Sequence, residues 1–141
     1  MERVDPYDTE ENELFKRVWK DTNHCTVVAL SVVTGWTLDE AHYYLETYGR
    51  YRRKGLTNKQ ITEAMSGLRY HNFKVVKGEY SNTNRITVNQ FMKKHPVGTY
   101  YCTHRGHAFA IKDGVIYDHT EGKRREIKLA FRVIRGEDYV E

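Results

Sequence analysis

Apolar residues in the first half of the chain recur three and four positions apart, the spacing of one helix face. Each such run is introduced by a threonine able to cap it. Thr37 with Glu40, Thr57 with Gln60 and Thr87 with Gln90 all have the spacing at which two side chains bond each other's backbone N–H groups. They predict one helix carrying Leu38, Ala41, Tyr44 or Leu45 and Tyr48, ended by Gly49. A second carries Ile61, Ala64, Met65 and Leu68 and stops near Gly67. A short third carries Phe91 and Met92 and runs out before Pro96. An earlier helix is predicted from Cys25 to Val33, with Asp21, Thr22 and Asn23 as capping material and Gly35 as its stop.

The second half changes period. Phe73–Val76, Thr99–Thr103, Ala108–Ile111, Val115–Tyr117 and Ala130–Ile134 read as strands. Asp113-Gly114 between two apolar runs is a hairpin signal, because both turn positions need a positive φ. Helices followed by an antiparallel meander predict an α+β fold, with N-terminal helices packed on a C-terminal antiparallel sheet. The 141 residues suit one domain. Within it, 1–20 reads as an acidic N-terminal extension, 21–70 as a helical half and 71–141 as a sheet half.

Charge adds one feature. The net charge is +4, and it is uneven. Glu2, Asp5, Asp8, Glu10, Glu11 and Glu13 crowd the N-terminus, whereas Arg50, Arg52, Arg53 and Lys54 surround Tyr51. That basic run between two helices is expected to be an exposed loop that contacts an acidic host protein or a nucleic acid. No apolar run approaches the roughly 18 residues of a membrane span. The first residues lack a basic stretch followed by an apolar one, so a cytoplasmic protein is expected, without a membrane partner. There is no CxxC, and the seven histidines fit no zinc spacing, so neither a metal nor a cofactor is expected.

The candidate chemistry is that of a thiol. Cys25 falls at the first turn of a helix, where the backbone carries partial positive charge and favours thiolate over thiol. Such a nucleophile needs a base. His107 opens a strand whose hairpin partner ends at Asp118, the two standing about equally far from Asp113-Gly114. Residues so placed lie across from each other, which lets Asp118 orient the ring. Cys25, His107 and Asp118 are the parts of a Cys-His-Asp triad. Cys102, mid-strand, reads as core.

The stretch Asn23–Gly35, together with Arg105–Asp118 and the intervening Thr87–Tyr100, resembles small papain-like proteins common in bacteriophage and bacterial genomes. These are similar to bacteriocin-processing cysteine peptidases. The resemblance covers roughly residues 22–134. It implies a papain-like fold with Cys25 as nucleophile, His107 as base and Asp118 as orienting group. It also implies a peptide or protein substrate and, for a phage-encoded chain, the host cytoplasm. Papain-like peptidases place an oxyanion donor six residues before the cysteine, which here is Trp19 with its indole N–H; the amide of Asn23, two residues before Cys25, is the better chemical candidate. The expected reaction is acyl transfer or hydrolysis at an amide or isopeptide bond. The alternatives are a transglutaminase-like transferase and a non-catalytic papain-like binding module acting through the basic loop.

Overall fold

Three helices begin where their threonines place them. In the computed structural model, which describes residues 2–20, 24–50, 55–81, 83–119, 122 and 124–136, Thr37, Thr57 and Thr87 form complete capping boxes. These open α3 (Leu38–Glu46), α4 (Asn58–Gly67) and α5 (Val88–Lys94). A single 3-10 turn, Leu68–His71, extends α4. The helix α2 (Cys25–Thr34) ends at Gly35, whose φ of 79° supplies the left-handed cap that a side chain resists.

The acidic N-terminus is not an appendage. It contains a strand, β1 (Glu2–Val4), and a helix, α1 (Glu10–Trp19). The Thr9 hydroxyl accepts the Asn12 N–H at 3.0 Å, Glu10, Glu11 and Glu13 fill the first turn, and Lys16 and Arg17 the last. The acid cluster therefore follows the helix dipole rather than marking a solvated tail. Phe15 and Asn12 of this helix are buried.

The strands are β2 (Phe73–Glu79), β3 (Thr99–His104), β4 (His107–Lys112), β5 (Val115–Tyr117) and β6 (Leu129–Arg135). With β1 they form a six-stranded sheet in the order β1-β5-β4-β3-β6-β2. The sheet is mixed rather than wholly antiparallel, because β1 runs parallel to β5, with Val4 opposite Tyr117. Among the described residues the protein is thus α+β, with five α-helices around a six-stranded mixed sheet.

Both faces of the sheet are covered, which explains the continuous apolar runs of β3 and β4. Side chains alternate across a strand. Tyr101, Ala108, Ala110 and Phe131 therefore meet α2 and its Val27, Leu30 and Val33, while Cys102, Phe109 and Ile111 meet Phe91 and Met92 of α5 on the other face. The small Ala108 and Ala110 lie in the same buried cluster as α2 and leave room for close approach. Leu30 is fully buried, and its truncation to Ala would cost roughly 2–5 kcal/mol. This packing fixes the start of α2 against the start of β4.

Candidate active site

Cys25 is the first residue of α2 and is half-buried; it is free of any disulfide. The residue before it, His24, is the N-cap but makes no side-chain cap bond. Its imidazole turns inward instead, where Nε2 meets Asn12 Oδ1 at 2.7 Å and the ring stacks on Phe15 at 5.1 Å. The Asn12 amide nitrogen donates to the Pro6 carbonyl at 2.8 Å, so Oδ1 is the accepting end and His24 Nε2 donates.

His107 is set by a tight turn. Arg105 and Gly106, with φ of 42° and 81°, connect His104 to its cross-strand partner His107. The next hairpin pairs Ala110 with Tyr117. Continuing that register places Phe109, not His107, opposite Asp118, so His107 is one diagonal step away on the same face. A diagonal neighbour is still within reach of an imidazole and a carboxylate. His107 Nε2 lies 2.8 and 3.0 Å from the two Asp118 oxygens. With Nε2 held, Nδ1 is the ring nitrogen left for the Cys25 thiol, whose ionisation His107 favours.

The protonation energetics follow from these contacts. Burial alone would push the Cys25 thiol up. The His107 bond, N–H donation from Ala108 and Thr26 and the imidazolium charge outweigh it, and hold the thiol below its ordinary range. His107 is raised to about 9, first by its bond to Asp118 and then by its bond to Cys25, against a desolvation that would lower it. Asp118 is only 1% exposed. Desolvation favours its neutral form, but His107 and the His119 N–H, which donates at 2.8 Å, hold it ionised below the usual carboxylate range. Arg125 Nη1, at 3.2 Å, adds a third donor group around the same carboxylate. All three shifts favour a thiolate–imidazolium pair backed by a buried anion.

Ligand atoms of His107, Asp118 and His119 lie within 4.8 Å of one another, the spacing of three metal ligands. His119 Nδ1, however, sits 2.9 Å from Asp118 Oδ1, and His107 Nε2 occupies the other oxygen. The adjacent Arg125 guanidinium opposes a further cation there.

The remaining expected site residues fall elsewhere. Trp19 does not present its N–H to the thiol: the indole donates to Asp39 Oδ1 at 2.9 Å, and its ring lies against His42. Asn23 lies outside the described residues, as do Arg52, Arg53 and Lys54. Arg50 is not part of an exposed basic surface. It is 2% exposed, with Nε donating to Thr26 Oγ1 at 3.3 Å and Nη1 to His42 Nδ1 at 3.1 Å. His42 Nε2 in turn meets Glu46 at 3.1 Å. The guanidinium is drawn inward because it satisfies Thr26 at the start of α2, one residue from Cys25.

The site also includes residues that the sequence reading left in the acidic tail. Arg3 Nη1 donates to the Asp118 and His119 carbonyls at 3.1 and 3.2 Å, and the Asp118 N–H donates to Val4 O at 3.1 Å. Tyr7 packs edge-on to both His24 and His119, with ring centroids 5.7 and 5.6 Å apart. Thr9, followed by acids and then Lys16 and Arg17, was the available signal for this ordered segment.

No protein-family model, curated protein or solved structure matches the chain. No helix among the described residues is long and apolar enough to cross a membrane.

Proposed function

We propose that this chain is a papain-like thiol enzyme that cleaves an amide or isopeptide bond or transfers its acyl group. One observation carries the reading: a half-buried cysteine at a helix start has its thiol held below the ordinary range by an imidazole whose Nε2 is held by a buried carboxylate. The Cys25 thiolate attacks the carbonyl carbon, and the carbonyl electron pair moves onto oxygen. His107 Nδ1 gives its proton to the leaving amine as the tetrahedral adduct collapses to a thioester. The neutral imidazole then takes a proton from water, giving hydrolysis, or from an incoming amine, giving transfer. Asp118 keeps the ring oriented and stabilises the imidazolium, without taking its proton. The helix start contributes its dipole to the thiolate.

The test is a thiol-directed activity probe, such as a peptidyl vinyl sulfone, read by intact-mass spectrometry. Labelling at Cys25 that is abolished by Cys25→Ala and falls at least 100-fold in His107→Ala supports the reading. Labelling independent of His107 overturns the base assignment. A role as a binding module through the basic loop is the weaker reading, since buried Arg50 is withdrawn from that loop.

A further inference from the structure

An acyl-transfer site needs a donor for the oxygen that becomes negative in the tetrahedral adduct. Among the described residues, three side-chain donors near Cys25 can be sorted by what already holds them. The Trp19 N–H is bonded to Asp39. The Tyr101 hydroxyl, from the strand beneath α2, donates to the Thr26 carbonyl at 3.2 Å. Among the described residues the hydrogen bond of Tyr7 is that of its backbone N–H to Asp5, and its hydroxyl is not engaged by a side-chain bond.

Tyr7 is also fixed in place. Its own N–H donates to Asp5 Oδ1 at 2.9 Å, and the carbonyl of the preceding Pro6 accepts from Asn12. Its ring lies edge-on to His24, which immediately precedes the nucleophile, and to His119, which immediately follows Asp118. It packs on the same buried cluster as Cys25. The ring therefore lies between His24 and His119, the chain neighbours of Cys25 and Asp118, held at three points before any substrate arrives.

We infer that Tyr7 is the side-chain oxyanion donor of this site, its phenol O–H directed at the carbonyl oxygen of an acyl group bound to Cys25. The inference rests on the acyl-transfer reading. In the step concerned, the sulfur–carbon bond forms, the carbonyl π pair becomes the oxyanion lone pair, and Tyr7 donates a hydrogen bond without losing its proton. Proton retention is favoured: burial first, then the negative charges of Cys25, Asp118 and Asp5, push its ionisation well above the ordinary phenol range. The sequence pattern concealed this donor because α1 separates it from the cysteine along the chain.

Two electrophiles separate this role from structural support. Acylation by 4-nitrophenyl acetate passes through an oxyanion, whereas alkylation by iodoacetamide displaces iodide at saturated carbon and forms none. Tyr7→Phe should slow the Cys25-dependent nitrophenolate burst by roughly 100-fold and leave the iodoacetamide rate within about twofold of the parent. An unchanged burst overturns the inference, and so does an equal fall in both rates, whether from lost thiolate or lost fold. The acyl-transfer reading is tested separately by Cys25→Ala: a burst that persists in that variant overturns the enzyme reading itself.

Discussion

Replacing Asp118 by Asn removes the charge that keeps His107 protonated while preserving the side-chain volume. His107 stands at about 9 against an ordinary 6.5. Were the whole rise lost, the imidazole would hold its proton less tightly by about 3 kcal/mol. The ratio of thiolate–imidazolium to the neutral pair would then fall by up to about 300-fold. The Cys25 bond supplies part of the rise and survives the change, so the expected fall is about 10-fold or more, bounded by that limit. The assay is iodoacetamide alkylation of Cys25 across pH, followed by mass spectrometry. At pH 6 the parent should alkylate faster than an ordinary thiol, because Cys25 is held below its usual range. Asp118→Asn should be slowed by about 10-fold or more at that pH and should converge on the parent near pH 10, where both thiols are ionised. Superimposable profiles would refute the claim that Asp118 acts through His107 on the nucleophile.

Four further outcomes are expected. Limited iodoacetamide treatment should modify Cys25 and spare Cys102, which is fully buried and whose thiol burial pushes far above its ordinary range; peptide mapping reads the ratio. Arg50→Met should destabilise the protein by roughly 2–4 kcal/mol in urea unfolding, since Thr26 and His42 lose a charged donor in the interior. Trp19→Phe should leave the nitrophenolate burst within about threefold, because its N–H serves Asp39; a loss near 100-fold would restore Trp19 as an oxyanion donor. In thermal melts, the His107 contribution should be complete below about pH 6.5 and be lost as pH rises through 9, whereas the Asp118 contribution should be present above the ordinary carboxylate range and be lost as pH falls through its depressed value. Asp118→Asn should flatten both limbs.

Local signals in the chain were legible wherever a residue acts on its immediate neighbours. Thr37, Thr57 and Thr87 open their helices through bonds that span three residues, and Asp113-Gly114 turns its hairpin through its own backbone. The His107–Asp118 contact was legible for the same reason, although the register makes the pair diagonal. What stayed hidden depends on distant partners. Val4 becomes a strand residue only beside Tyr117, and Arg50 becomes a core residue only where Thr26 and His42 receive its guanidinium. In each case a charged stretch reads as solvated until the fold supplies what it meets.

The parallel pairing of β1 with β5 has a consequence for when the thiol becomes dangerous to its surroundings. Val4, near the beginning of the chain, must find Tyr117 and receive the Asp118 N–H. A ribosome delivers Cys25 before His107 and Asp118, so a nascent chain carries this thiol through that stretch of synthesis without either partner. Contacts this far apart in sequence also close slowly. Over that interval Cys25 lacks the His107 contribution that lowers its ionisation in the folded protein. Under the proposed function, this topology leaves an unfinished chain without the assembled triad.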